Sequence, residues 1–436
     1  MIQPVSFFQT SPSLAVRPAI KKRVDKPLNQ TVAPQADSFV KFGYKDYFRQ
    51  KNIDTSLDST KISYGDPQAA KLIYRGYDIK DLAQYSNFQE TAFLVLHGKL
   101  PTFHELKTFE QNLASRRELP DSTIELLKQI GKRYPDAHPM RIFETGLTLL
   151  GLNKSTIQNQ LSGWNEEQHM EKTLDLIAKA PTLIAYSYRL QKGKDIVHPD
   201  PNLSHAANFL YMLNGKVPDP TVAKIFEKTL ICYMDHGFNA STLSARAAAS
   251  TGSSIFSAVT AGSGALSGRF HGGANEAVSR QLMDVQADTE SNIENYVQRQ
   301  VQSGEKIYGF GHKKYKSSDP RVKILSDLAD QLAAYYRQQG VPETDPRLKW
   351  QKTGNAFRDY MQNDFRKKIP PNVDFPIGYL YPMLEIPVEL NTPIFAMSRV
   401  VGWSAHIGEL QQDNTVYSPL GAYKGEKELT YPIQHG

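Results

Sequence analysis

The sequence predicts an all-α protein. Apolar residues recur at three- and four-residue spacing through a dozen segments, and only one short stretch alternates as strands do. Pro101, Pro120, Pro139, Pro199 and Pro218 fall between several of these segments, where a ring that cannot continue a helix marks a boundary.

Residues 61–64 and 71–74, with Gly65-Asp66-Pro67 as a turn between them, predict one short hairpin. Helices are then predicted over 82–96, 104–115, 122–134, 140–152, 166–191, 203–213 and 221–235, and again over 244–261, 274–287, 291–303, 321–338 and 393–410. Loops are expected at 193–202, 304–319 and 339–345. Residues 245–249 and 257–264 are rich in Ala, Ser and Gly, so two helices can approach closely there, either as a core pair or at a subunit or domain contact.

At 436 residues and 40% hydrophobic content the chain has material for one large domain and a smaller one. A single cysteine, Cys232, excludes a disulfide framework and a Cys-rich zinc site, and its apolar neighbours predict a buried thiol in a reducing compartment. The net charge of +6 is uneven: residues 1–50 carry +5 of it, leaving +1 for the other 386. A near-neutral body argues against nucleic acid, which is bound by basic residues on the folded surface. No run of about 18 apolar residues is present to span a membrane. Residues 1–55 read as a flexible basic arm, because Pro4, Pro12 and Pro18 interrupt the amphipathic helix that an organelle transit peptide would need.

Four islands combine titratable residues with glycine or proline. The first, Asp235-His236-Gly237-Phe238-Asn239-Ala240-Ser241-Thr242, places His236 at a break between helices, with an N-cap expected at Ser241 or Thr242. Taken alone, His236 reads as a capping or packed histidine more readily than as a ligand. In the second, His271 precedes Gly272-Gly273 and a helix start, where a neutral imidazole that can donate to an enolate oxygen is favoured. The third runs from Lys306 through Gly309-Phe310-Gly311-His312 to Lys316 and Asp319-Pro320-Arg321. Asp319 is a good cap, Arg321 sits in the first turn to meet a carboxylate, and the lysines form a rim suited to phosphates or simply a solvated face. In the fourth, Pro370-Pro371-Asn372-Val373-Asp374-Phe375-Pro376, a carboxylate among apolar residues would have a raised pKa; it could equally be a turn residue.

In this order the islands resemble the motifs of the citrate synthase family: His-x-x-Asn-Ala-Ser-Thr, His-Gly-Gly-Ala-Asn-Glu, Gly-Phe-Gly-His with Asp-Pro-Arg downstream, and Asn-Val-Asp-Phe. Residues 72–79, 205–213 and 399–406 add matches, and the similarity runs from about Lys61 to about Tyr423. The resemblance implies a two-domain all-α fold, with a large helical domain over 56–273 and 385–436 and a small helical domain over 274–384 closing the cleft. It implies a homodimer that joins an acyl-CoA, as substrate, to the 2-oxo diacid oxaloacetate and hydrolyses the thioester, with no tightly bound cofactor and no metal.

Carried over, His271, His312 and Asp374 are expected to be catalytic, and His236, Arg321 and Arg399 to hold the diacid. Lys306, Gly309, Gly311 and Lys316 are expected to meet coenzyme A. Citrate, 2-methylcitrate and longer alkylcitrate synthases share this chemistry, a citryl-CoA lyase runs part of it backwards, and a retired homologue would only bind. Three departures stand out: Arg269-Phe270 where Pro-Leu is common, Ile377-Gly378 where Ser-Gly is, and Ser418 where an Arg reaches the partner's diacid. A cytoplasmic location is expected, or the mitochondrial matrix if residues 1–40 are a transit peptide. Deleting residues 1–40, which precede the family similarity, is expected to leave both turnover and dimerisation intact, as enzyme assay and light scattering would read.

Overall fold

The computed structural model describes residues 58–66, 68–152, 164–285, 290–311, 318–365, 368–418, 423–429 and 431. The expected arm over residues 1–55 lies outside them, as do His312 and Lys316. The described part is all-α with one small sheet. Strands β1 (Ser63–Asp66), β2 (Lys71–Tyr74) and β3 (Tyr77–Asp78) pair antiparallel in the order β1-β2-β3, with Ser63 opposite Tyr74 and Tyr74 opposite Tyr77. The expected hairpin is present, but its first strand begins two residues later than predicted and takes in Gly65-Asp66. The turn starts after it, where the Asp66 carboxylate accepts the N–H groups of Gln68 and Ala69.

The helices are α1 (Ile79–Tyr85), α2 (Phe88–His97), α3 (Phe103–Ser115), α4 (Asp121–Arg133), α5 (Pro139–Leu152), α6 (Glu166–Gln191), α7 (His205–Asn214) and α8 (Pro220–Tyr233). They continue with α9 (Ala240–Ser250), α10 (Ile255–Leu266), α11 (Gly273–Val285), α12 (Glu290–Ser303), α13 (Pro320–Gln338), α14 (Pro346–Asp359), α15 (Asp374–Met383) and α16 (Asn391–Gln412). Two predicted helices are broken. The one over 82–96 is α1 and α2, because Asn87 is extended and its side chain caps Glu90 N–H at 2.8 Å. The one over 244–261 is α9 and α10, separated at Gly252, whose φ of +78° ends α9, and restarted by the cap Ser254. Helices α14 and α15 were not predicted. Pro376, Gly378 and Pro382 depress helix propensity in α15, and burial against three neighbouring helices overrides it.

Two helices organise the core. Helix α16 is buried along nearly its whole length and packs against α6, α9, α10 and α2; a helix apolar all round belongs in an interior. Helix α6 passes through its own Pro181 unbroken and is buried from Thr173 to Ser187 except at the half-buried Lys179. The small-residue stretches make α9 and α10 a core pair. A β-carbon on Gly262 would stand 3.1 to 3.2 Å from Trp403, Ala245 and Ser241, and Ser244 Oγ donates to Ala261 O. Around α15 a second packing centre gathers α11, α13 and α14. No helix among the described residues is long and apolar enough to cross a membrane. Asn87→Ala removes a cap while leaving the core untouched, so it is expected to cost about 1 kcal/mol, read as a lower urea midpoint with unchanged m-value.

Candidate active site

Each island lies where one element stops and another starts. Helix α8 ends at Tyr233, and the next residues turn through Gly237, whose φ is +60°. Asn239, rather than Ser241 or Thr242, caps α9: its Oδ1 accepts the N–H groups of both residues at 3.1 Å. His236 therefore sits between Asp235 and Gly237 in a turn held at both ends.

His271 lies in the turn that joins α10 to α11, with its N–H bonded to Gly268 O at 2.8 Å. Gly272 is required there, since a β-carbon would fall 2.7 Å from Leu266. The imidazole Nε2 stands 3.0 Å from Ser241 Oγ and 3.2 Å from Asn239 Oδ1, and Trp403 Nε1 donates to the same hydroxyl. Burial, with the positive charges of Arg399 and Arg321 adding to it, lowers the His271 pKa to about 3, so the ring is neutral. The expected neutrality holds, but its main cause is desolvation and nearby guanidinium charge.

Asp374 opens α15 and is placed by the third island. Gly311 N donates to Pro370 O (2.8 Å), Asn372 N to Gly309 O (2.8 Å) and Asn372 Nδ2 to Gly311 O (3.0 Å), while Asn372 Oδ1 accepts Asp374 N–H. Two segments 61 residues apart thus form one platform. Gly309 has φ of +84°, and a β-carbon on it would strike Val278 and Phe375 within 2.9 Å. Oδ1 of Asp374 is buried without a hydrogen-bond partner. Burial, only partly opposed by the charge of Arg321, pushes this carboxyl up to about 7.

Two guanidinium groups share the site. Arg321 lies in the first turn of α13 and pairs in bidentate fashion with its own cap, Nε to Asp319 Oδ1 at 2.9 Å and Nη2 to Oδ2 at 2.6 Å. Burial alone would raise Asp319; the Arg321 charge and hydrogen bonds, with His236 nearby, hold it well below the usual carboxylate range. Arg399, on α16, donates from Nε to Tyr233 O at 2.8 Å and lies over the Phe395 ring, while its Nη1 is buried without a hydrogen-bond partner. Burial lowers its pKa to about 10, opposed chiefly by Asp235. Phe395 also stacks on Tyr233 at 3.8 Å and meets the His271 ring edge-on, tying the groups into one cluster.

The structure thus brings His236, His271, Arg321, Asp374 and Arg399 together, with Gly309 and Gly311 as the platform under Asp374. Lys306 is exposed, 5.1 Å from the Phe270 ring and 5.4 Å from that of Tyr308. Sequence reasoning assigned no role to Asp235 or His406, although both lie inside quoted motifs. Their carboxylate and imidazole meet at 3.2 Å across 171 residues, a pairing that no local pattern announces. Arg321 also has a carboxylate partner on the chain itself, in Asp319. Cys232 is buried and its thiol is pushed up to about 12 by burial. Among the described residues no group of three or more His, Cys, Asp or Glu gathers as metal ligands.

The family described as citrate synthase, C-terminal domain, matches residues 53–420. Citrate synthase from Haloferax volcanii is 38% identical over 372 residues, which are 85% of this chain and 94% of that one. A 2-methylcitrate synthase from Mycobacterium tuberculosis is 35% identical over 377 residues, 86% and 90% of the two chains. Among solved structures, the complex of Thermoplasma acidophilum citrate synthase with carboxymethyl coenzyme A and oxaloacetate superposes with a TM-score of 0.78 at 26% identity, covering 87% of this chain and 97% of that one. Sequence, fold and the grouped motif side chains agree, and this chain belongs to the citrate synthase family and is an enzyme of the citrate synthase type.

Proposed function

We propose that the enzyme joins acetyl-CoA, or a closely related acyl-CoA, to oxaloacetate and hydrolyses the resulting thioester to citrate and coenzyme A. One observation carries the reading. Of the three carboxyl groups in the cluster, Asp235 and Asp319 are held low by cationic partners and hydrogen bonds, whereas burial pushes that of Asp374 up to about 7. A carboxylate poised there is a base matched to a carbon acid at physiological pH.

Asp374 takes the α-proton of the acyl group as its C–H electron pair moves into the enolate, whose oxygen receives a hydrogen bond from neutral His271. His236, Arg321 and Arg399 hold the carboxylates of oxaloacetate, His312 polarises its ketone, and the enolate carbon attacks the ketone carbon, whose C=O π pair moves to the oxygen and takes up a proton, to give the CoA thioester. Water then cleaves the C–S bond, releasing the acid and the thiol of coenzyme A. Lys306, Lys316, Gly309 and Gly311 are assigned to coenzyme A. No tightly bound cofactor takes part. In this reading the helices around α15, over residues 274–384, close on the body formed by 56–273 and 385–436, in a cytoplasmic homodimer. Propionyl-CoA is the second donor to test, given the similarity to a 2-methylcitrate synthase.

Asp374→Asn should lower turnover at least about a hundredfold. The same variant should be more stable than wild type at alkaline pH. With its folded pKa raised to about 7 from 3.8, the carboxyl favours folding most fully below pH 4, and this contribution is lost as pH rises through 7. Ionised, it opposes folding by at most on the order of 4 kcal/mol, so the melting temperature of the variant should exceed that of wild type at pH 8.5 and by less at pH 5. Full activity in the variant would place the base elsewhere.

Ser418 is exposed in the single chain and stands where the family resemblance implies an Arg. Losing a charge-assisted pair costs about 1.5–3 kcal/mol, so the Michaelis constant for oxaloacetate should lie roughly tenfold to a hundredfold above that of an Arg-bearing relative. Ser418→Arg should lower it if the contact is simply missing, and raise it if the pocket suits a different acid. Saturation of wild type at low micromolar oxaloacetate, unchanged in the variant, would remove position 418 from the site.

A further inference from the structure

Helix α16 holds the segment that carries His236 at two points on one of its faces. Arg399 Nε donates to Tyr233 O (2.8 Å), and two turns later the imidazole of His406 meets Asp235 Oδ2 (3.2 Å). Between them lies Gly402, where a β-carbon would stand 2.6 Å from Asp235 Oδ1, so helix and segment are in direct contact. His406 and Asp235 are both fully buried. From the other side, Ser63 Oγ on β1 donates to the same Oδ2 and accepts Gly237 N–H (2.8 Å), and Gly237 N also points at Oδ2 (3.1 Å). Tyr74 OH donates to Asp235 O at 2.8 Å. Apart from the Arg399 bond to Tyr233 O, each of these bonds ends on Asp235 or Gly237, the residues flanking His236. The carboxylate of Asp235 stays ionised, so Nε2 of His406 carries the proton between them.

We propose that His406, acting through Asp235, is a positioning residue that sets His236 relative to Arg399 and so tunes capture of the 2-oxo acid's two carboxylates. The inference rests on the reading of the site given above. Arg399 and His406 share one rigid helix, so the bond to Asp235 transfers the register of that helix to the turn bearing His236. No part of this network touches the Lys306 to Gly311 stretch assigned to the acyl-CoA side. Loss of the bond should therefore act on one substrate only.

The test compares His406→Leu, which fills the space without a donor, with His406→Gln, which restores one, and Ser63→Ala, which removes a single leg of the clamp. Steady-state kinetics with acetyl-CoA and oxaloacetate, calorimetric binding of oxaloacetate and melting temperatures are measured on the full chain. The Leu variant should raise the oxaloacetate Michaelis constant at least about tenfold and leave that of acetyl-CoA within about twofold, with the Gln variant returning to within about threefold of wild type. An unchanged oxaloacetate constant, or equal losses toward both substrates that track the fall in melting temperature and are not rescued by Gln, would overturn the proposal. If the Leu variant does not fold, Ser63→Ala decides: about a threefold rise for oxaloacetate alone supports the proposal, and no change overturns it. Wild type that neither binds nor turns over oxaloacetate would instead overturn the reading of the site itself.

Discussion

The contact between helix α16 and residues 233–237 is the constraint on which the site depends. It buries a carboxylate, two guanidinium-bearing or imidazole side chains and several backbone polar groups at the centre of an apolar helical body, where each unpaired polar group would cost free energy. The geometry is consequently stiff. Breaking any one bond strands a buried donor or acceptor, and that penalty exceeds the modest net gain of forming the bond. A platform of this kind can present an imidazole and a guanidinium at a set spacing with little reorganisation during reaction.

Electrostatic environment then divides the labour among chemically identical side chains. Asp319 is neutralised by a two-pronged pair with Arg321, and Asp235 accepts from Ser63, Gly237 and His406 while facing Arg399. Asp374 gains burial without such donors, because the hydrogen bonds of its loop go to Asn372 and the Gly309-to-Gly311 turn. That arrangement opposes folding above neutrality, and strain of this kind commonly marks functional sites. His271 is the counterpart: buried near two cations, it is held neutral and can act as a donor without first losing a proton.

The periphery shows where substrate preference can be adjusted without disturbing this centre. Phe270 is exposed beside Arg269 and Lys306, on the turn that delivers His271. The C-terminal stretch is held to α9 by Asn414 on Ser250 O, Tyr417 N–H on Ser250 Oγ and Arg246 on Tyr417 OH, leaving Ser418 exposed. None of Arg269, Phe270 and Ser418 belongs to the buried core around α16.

The sequence by itself determined the all-α class and most helix positions, because apolar spacing and cap chemistry are local: residues 166–191 were read as α6 to the residue, and Asp319-Pro320 announced the start of α13. It also marked the side chains of the site, since glycine, proline and a titratable group in one short stretch are a local signal, and the order of the four islands pointed to the family. Only the tertiary structure decided what those groups experience. Burial of the Asp374 carboxyl, the pairing of Arg321 with Asp319 and the meeting of Asp235 with His406 arise from chain segments far apart or from competition among partners. The break at Asn87 and the formation of α15 through two prolines likewise followed from capping and packing energies that outweigh propensity. Spacing along a chain encodes which elements form; desolvation and hydrogen-bond partnership, which set the chemistry, exist only after those elements pack.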